Sequence, residues 1–209
     1  MSQQTDERVI VYADYVCPFC YLGYESLDQY RETRADPLET EWHPFDLRGG
    51  QRRSDGSIDH SVQTGKDDAY FEQARENVER LAERYDVEMA QPLAREVDSY
   101  DAQRVALRLA DEHPDRFEAF HRGVFDALWV DGRDIGDRDV LEAIADESGL
   151  SEGFVTETLD ETASVDRLDE AFGAARNQRI TGVPTFVYGE YSARGAVPPA
   201  QLERLVDGT

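Results

Sequence analysis

The amino-acid sequence predicts an α/β fold made of a βαβ half and a ββα half, with an all-helical domain inserted between them. Segments with the alternation and the β-branched and aromatic residues of strands occur before residue 48 and after residue 182. The long stretch between them repeats apolar residues at helical spacing instead. The only two cysteines stand where the first strand gives way to a helix, which makes the first half the candidate for the functional site.

The first half reads as strand, helix, strand. Residues 8–13 are β-branched and alternate, and residues 38–47 alternate again. Between them a helix is expected from near Cys17 to about Arg34, because Pro18 is tolerated in a first helical turn, where a backbone N–H has no partner. This succession predicts a βαβ unit with parallel strands and a right-handed crossover.

Helices dominate the middle of the chain. Residues 48–66 lack periodicity and are rich in Gly, Ser, Asp and Arg, which is typical of an exposed loop. Helical spacing begins after Asp67 and recurs in several segments, the last of them running from about Ala163 to Asn177.

Strand periodicity returns near the end of the chain. Residues 183–188 and 191–194 predict a hairpin around a tight turn, and a final helix follows. We therefore divide the chain into an N-terminal half with its exit loop (1–66), a helical insertion (67–162) and a C-terminal half (163–209).

Composition excludes several classes of protein. The 45 acidic and 22 basic residues give a net charge of −23, which would repel nucleic acid and anionic membranes. No apolar run approaches the roughly 18 residues of a membrane span. The polar, acidic start of the chain lacks the features of a secretory signal. We expect a soluble, cytoplasmic protein that binds neither nucleic acid nor membrane.

The acidic residues are spread over nearly every predicted helix, and Lys66 is the only lysine. This bias is typical of salt-adapted organisms, where concentrated salt screens most of the self-repulsion. An acidic docking face for a basic partner is the alternative interpretation. We favour salt adaptation because dispersed acids outline no site.

The C-x-x-C pair is the chemically informative motif. A helix N-terminus offers unpaired N–H groups and a partial positive charge, which favour a thiolate. We expect Cys17 to be the accessible nucleophile and Cys20, one turn later and more buried, to resolve the mixed disulfide. The alternatives are a structural pair of buried cysteines and half of a zinc site. His43 or His60 would have to complete that site, and no second C-x-x-C exists.

Motifs along almost the whole chain carry a resemblance to a known family. They are Asp14, CPFC at 17–20, WHPFDL at 42–47, IGD at 135–137, TGVPTFV at 181–187 and GA at 195–196. The sequence resembles the thioredoxin-like fold and, with its helical block, the DsbA family. It is most similar to the FrnE-like group, which is related to 2-hydroxychromene-2-carboxylate isomerases and kappa-class glutathione transferases.

The resemblance implies a second element of the site. Without the resemblance, the bond before Pro184 would be expected to be trans, as most X–Pro bonds are. Pro184 would then be only the first residue of an edge strand. In the thioredoxin fold, however, the proline corresponding to Pro184 is cis and lies beside the redox pair. The backbone of Val183 would then bind an extended substrate strand, with Pro18 and Phe19 completing the substrate site.

Phe19 bears on the direction of the chemistry. Strongly oxidising DsbA proteins carry a histidine between their cysteines, whereas a neutral apolar residue offers no charge or strong donor to the reduced thiolate. We expect a less oxidising couple than theirs.

The remaining candidates are weaker. Asp14 is expected to take part in proton transfer or to cap the turn, and His43 to be a hydrogen-bonded structural residue. Trp42 and Phe45 are expected either to line a groove near the site or to lie in the core. Trp129 and Tyr100 are expected to face the cleft between the two units. His121 is expected at a surface or packing position.

The leading interpretation is a DsbA-family protein disulfide oxidoreductase or isomerase that requires no bound cofactor. Its partners would be protein or low-molecular-weight thiols and disulfides, and a homodimer is expected only by analogy. One alternative is a thiol-dependent isomerase or glutathione-transferase-like enzyme for a small aromatic substrate, although such relatives commonly carry serine at the position of Cys17. The other is a non-catalytic binding module, in which Cys17 is neither reactive nor exposed.

Overall fold

The computed structural model describes residues 8–53, 56–59, 61–62 and 64–208. The strands are β1 (Val9–Ala13), β2 (Thr40–Pro44), β3 (Thr185–Tyr188) and β4 (Tyr191–Arg194). The helices are α1 (Pro18–Thr33), α2 (Asp68–Tyr85), α3 (Tyr100–Glu112), α4 (Pro114–Trp129), α5 (Arg138–Glu147), α6 (Phe154–Asp160), α7 (Thr162–Asn177) and α8 (Pro199–Asp207).

The two ends of the chain share one mixed sheet of strand order β2-β1-β3-β4. β1 and β2 are parallel, as predicted, whereas β3 is antiparallel to both β1 and β4. Tyr12, near the end of β1, lies opposite Thr185, at the start of β3. Because the two strands run in opposite directions, the segment that follows β1 meets the segment that precedes β3. Topology alone therefore brings the C-x-x-C motif towards Pro184.

The observed strands β1, β2 and β3 are shorter than the sequence predicted. β2 ends at Pro44 rather than at residue 47, because the backbone N–H of Leu47 leaves the sheet and bonds the carboxylate of Asp14. β3 begins at Thr185, because Pro184 has no N–H to contribute to a ladder. The predicted hairpin of β3 and β4 is confirmed.

The helical block packs onto the sheet rather than standing apart from it. α3 contacts α4, α6 and α7, and α7 also contacts β2. One apolar core runs continuously from fully buried Val11 and Phe186 in the sheet to Leu109, Phe120 and Leu141 in the block. The division at residues 66 and 162 stays a prediction.

A buried carboxylate joins the end of β1 to two other segments. Asp14 is fully buried and accepts hydrogen bonds from the backbone N–H groups of Val16 (3.2 Å) and Leu47 (2.8 Å). It also accepts a short hydrogen bond from the hydroxyl of Ser99, which directly precedes α3. Burial nevertheless raises the pKa of Asp14 to about 6, against the lowering effect of these donors. Asp14 thus caps the turn, as expected, and also ties the long loop and the helical block to the sheet.

Helix α1 crosses the sheet unusually closely at Gly23. A Cβ atom at this position would lie 3.0 Å from Cγ of Pro184 and 3.2 Å from Cζ of Phe186. The absence of a side chain therefore lets the first half of α1 rest directly on the start of β3. This close approach sets the distance between the helix N-terminus and the Pro184 segment.

The raised pKa of Asp14 predicts a specific pH dependence of stability. An acid whose pKa rises on folding contributes most stability below its unfolded value of 3.8, and that contribution is lost as pH rises through about 6. Between pH 4.5 and 7, the free energy of unfolding of the wild type should fall by about 2 kcal/mol more than that of Asp14→Asn. Urea titrations measure this difference. Asp115→Asn, which removes an exposed carboxylate from α4, is the control, and parallel slopes for all three proteins would contradict the assignment.

The contact at Gly23 predicts an overpacked variant. Gly23→Leu should lower the free energy of unfolding by about 1–3 kcal/mol, because the new side chain has no space against Pro184 and Phe186. Gly173→Leu is the matched control, since among the described residues the nearest atom outside its own helix backbone is a terminal guanidinium nitrogen of Arg176, 3.7 Å from the added Cβ. Equal stability of the two variants would show that α1 does not need this close approach.

Candidate active site

Cys17 is the residue that immediately precedes helix α1. Its backbone carbonyl accepts the N–H of Cys20 (2.9 Å), while its side chain makes no capping hydrogen bond. Pro18 occupies the first turn, as predicted. The sulfur of Cys17 is therefore not used as a helix cap, although it lies at the helix end, where backbone N–H groups lack intrahelical partners and the helix dipole is positive.

Cys20 lies one turn further along α1 and is fully buried. Both cysteines are free thiols. Burial, followed by the hydrogen bond and charge of the neighbouring Cys17, raises the pKa of Cys20 well above its ordinary value. The pair thus combines one sulfur at a helix terminus with one that holds its proton tightly.

The cis bond expected before Pro184 is confirmed. The carbonyl oxygen of Val183 lies 3.7 Å from Sγ of Cys17, so the two segments meet across 166 residues of chain. The carbonyl of Pro184 accepts the N–H of Gly195 (2.8 Å). In the described part of the chain, the backbone N–H of Val183 has no hydrogen-bond partner. One backbone polar group beside the thiol is therefore free to bind a ligand.

Cys17 is less accessible than the sequence suggested, with an exposed fraction of 3%. The Val183 segment and the walls of a cleft cover its sulfur. The expectation of an accessible thiol is therefore corrected to a nearly buried thiol on the lining of that cleft.

The cleft has a volume of about 770 Å³. One part of its lining comes from the predicted substrate residues Pro18, Phe19 and Val183, together with Cys17. The other part comes from segments that the sequence left as plain loops, and from the start of α2: Leu47, Arg48, Gln51, Ser61, Val62, Thr64, Gly65, Lys66, Asp67, Tyr70, Phe71, Ala74, Leu93, Ala94, Arg95 and Glu96. Sequence periodicity gave no sign of this second part, although Lys66 stood out as the only lysine.

The aromatic residues considered for the cleft are instead in the core or elsewhere. Trp129 is fully buried, and its indole N–H donates to the carbonyl of Tyr15 (2.9 Å). Trp42 is buried as well, in contact with Tyr15 and His121. Tyr100 borders a second, separate cavity of about 460 Å³. The expectation that Trp129 faces the cleft between the two units is wrong, because its side chain is fully buried. Tyr100 does line a cavity between the loop that follows β2 and helices α3 and α7, but this cavity is not the one beside Cys17.

His121 and His43 make structural contacts. Nδ1 of His121 lies 2.8 Å from the hydroxyl of Tyr15, and burial lowers the pKa of this histidine to about 3. His121 is therefore a packing residue, one of the two positions expected. Nδ1 of His43 is 3.1 Å from the carbonyl of Pro44, and burial lowers its pKa too. His60 lies outside the described residues. Within the part that the structure describes, no three His, Cys, Asp or Glu residues are grouped to hold a metal ion.

None of the helices in the described part of the chain is both long and apolar enough to cross a bilayer.

Comparison with known proteins identifies the family. A model of the DSBA-like thioredoxin domain matches residues 8–207. The uncharacterised protein YwbO of Bacillus subtilis is 29% identical over 201 residues, which are 95% of each chain. A probable DsbA oxidoreductase from Streptomyces coelicolor superposes with a TM-score of 0.78 at 23% identity, over 96% of this chain and 88% of its own.

A 2-hydroxychromene-2-carboxylate isomerase superposes with a TM-score of 0.75 at 19% identity, over 96% of this chain and 93% of its own. Both solved structures share the thioredoxin-like fold with a helical insertion that the sequence predicted. With its C-x-x-C motif at the start of α1 and its cis bond before Pro184, the chain belongs to the family of DSBA-like thioredoxin domains.

Proposed function

We propose that the protein exchanges disulfides with protein substrates, as an oxidoreductase or isomerase, through Cys17 and Cys20. The observation that carries this proposal is the position of Cys17. Its sulfur lies at the N-terminus of α1, borders an open cleft, and is 3.7 Å from the carbonyl of Val183. A nucleophilic thiol needs these three conditions together: stabilisation of its thiolate, access, and a backbone that orients the substrate.

The proposed reduction of a substrate proceeds in two displacements. The thiolate of Cys17 attacks one sulfur of the substrate disulfide, that S–S bond breaks, and the other substrate sulfur leaves as a thiolate. The thiol of Cys20 then loses its proton and attacks Sγ of Cys17, which releases the second substrate thiolate. Both released thiolates end as thiols, two electrons have passed to the substrate, and a Cys17–Cys20 disulfide remains. The reverse sequence oxidises a dithiol.

The proton on Cys20 controls the second displacement, because burial raises the pKa of this thiol. Asp14, with a pKa raised to about 6, is largely ionised at neutral pH. Its negative charge contributes to the raised pKa of Cys20. Its three hydrogen bonds hold it in place, so it acts as a fixed local charge and as a proton acceptor during resolution. This assignment joins the two roles that the sequence left open for Asp14.

Substrate binding follows from the free backbone group at Val183. An extended peptide laid beside the segment before Pro184 can accept the unpaired N–H of Val183, as in strand addition. Pro18 and half-buried Phe19 provide apolar surface next to the reacting sulfur. Their place on the cleft wall supports a binding role for both residues.

Reduction of insulin disulfides and refolding of scrambled ribonuclease test the proposal. Cys17→Ser should lower turnover by at least about 100-fold, because a hydroxyl is not ionised at neutral pH and cannot form the mixed disulfide. Glu190→Gln, on the exposed hairpin turn away from the cleft, is the control and should keep wild-type turnover. Unchanged turnover in Cys17→Ser would rule out the proposed nucleophile.

A second candidate function is thiol-dependent isomerisation of a small aromatic substrate. The observation in its favour is the size of the cleft, since about 770 Å³ falls within the range that encloses small ligands. Because related isomerases commonly carry serine at the position of Cys17, this function would survive in Cys17→Ser. Location in the cytoplasm, membership of the FrnE-like group and salt adaptation stay predictions.

A further inference from the structure

Three cationic side chains line the cleft beside Cys17. Arg48, Lys66 and Arg95 line it, and none of them forms an ion pair with any described residue. The chain as a whole has a net charge of −23, so the positive charge of these three side chains is opposite in sign to the net charge of the protein. A set of unpaired cations next to a reactive thiol points to a negatively charged ligand.

The contacts that hold these cations orient them without cancelling their charge. The guanidinium of Arg95 lies 3.9 Å from the centre of the Phe71 ring, and Nζ of Lys66 lies 5.4 Å from the centre of the Tyr70 ring. Arg48 donates to the carbonyl of Ala94 (2.8 Å). Aromatic faces and carbonyl groups attract a cation but leave its formal charge in place.

Arg52 gives the contrasting case within the same loop. Its guanidinium pairs with both Asp46 (2.7 Å) and Asp98 (2.9 Å), so its charge is used inside the protein. Arginines in this loop can therefore form ion pairs with carboxylates. Arg48, Lys66 and Arg95 form none with described residues, although the chain is rich in acidic residues.

A second observation at Arg48 is independent of its charge. Its Nε atom is buried and has no hydrogen-bond partner among the described residues. Buried donors are nearly always paired in native structures. Arg48 therefore brings a guanidinium with an unsatisfied donor to the lining of the cleft.

Two carboxylates also line the cleft. Asp67 accepts the N–H of Tyr70 and caps the start of α2, which holds its carboxylate at the helix end. Glu96 is exposed and forms no ion pair within the described ranges. The cations still outnumber the carboxylates, and Arg48 and Arg95 remain free to bind an anion.

Resting on the proposed disulfide exchange, we infer that this cleft selects disulfides in extended polypeptide segments that carry an acidic side chain beside the cysteine. The substrate carboxylate binds Arg48, Lys66 and Arg95, while its backbone accepts the free N–H of Val183. A polypeptide fits better than a small anion, because the free amide of Val183 and the apolar surface of Phe19 and Val62 are left for backbone and side chains.

Two matched peptides test this inference. Each carries one cysteine in a mixed disulfide with a chromophoric thiol, flanked on both sides by glutamate in one peptide and by glutamine in the other. Wild type should reduce the glutamate peptide with a kcat/KM about tenfold higher at low salt, and the ratio should shrink as salt is added. Lys66→Gln/Arg95→Gln should bring the ratio to about one.

The control variant also removes two positive charges, but from a part of the surface that does not line the cleft. Arg176→Gln/Arg204→Gln eliminates two exposed arginines of α7 and α8 that do not line the cleft, and should keep the wild-type ratio. A wild-type ratio near one, or an equal loss in both double variants, would overturn the inference. So would equally fast reduction of dithiodiglycolate, a small dicarboxylate disulfide, because recognition would then not need a polypeptide.

Binding separates this inference from the proposed function. Fluorescently labelled peptides with serine in place of cysteine cannot exchange disulfides, yet they still present glutamate or glutamine to the cleft. Anisotropy should show tighter binding of the glutamate form to wild type, and loss of that preference in Lys66→Gln/Arg95→Gln. Absence of turnover on both cysteine peptides would contradict the proposed function alone, whereas equal binding of the two serine peptides would contradict acidic selectivity.

Discussion

The contact of α1 with the start of β3 is the constraint on which the site depends. Because Gly23 has no side chain, α1 packs directly against Pro184. The N-terminus of α1 therefore lies next to the cis peptide bond between Val183 and Pro184. Because β1 and β3 are antiparallel, the end of β1 and the start of β3 lie at the same edge of the sheet. The close approach at Gly23 then sets the distance between the N-terminus of α1 and Pro184. The result is a thiol 3.7 Å from the Val183 carbonyl, although 166 residues separate the two in sequence.

Electrostatics divides the two cysteines into different roles. Cys17 directly precedes the N-terminus of α1, whereas burial raises the pKa of the Cys20 thiol. The buried carboxylate of Asp14 accepts hydrogen bonds from Leu47 and Ser99, so it joins the sheet, the long loop and the helical block, and its charge interacts with Cys20. Three cations without ion pairs to described residues line the cleft, in a molecule of net negative charge. In the proposed cycle, Asp14 handles the proton of Cys20 and the cations select the substrate.

Sequence patterns predicted the elements well because their signals are local. Strand alternation, helical spacing and Pro18 identified the βαβ and ββα halves, and the resemblance to the family correctly predicted the cis bond before Pro184, which base rates oppose. What sequence could not show depends on tertiary packing: the burial of Cys17, and the burial of Trp129 against the backbone of Tyr15. The cationic part of the cleft was missed because it comes from loops without periodicity, where only the folded chain brings distant residues together.

Trapping of the first intermediate tests the central claim most directly. In Cys20→Ser, Cys17 can attack a protein disulfide, but nothing resolves the product. After incubation with oxidised insulin and alkylation of free thiols, mass spectrometry should find a mixed disulfide on Cys17, and Cys17→Ser/Cys20→Ser should form none. Failure of the single variant to accumulate any substrate adduct at Cys17, while it remains folded, would contradict the account.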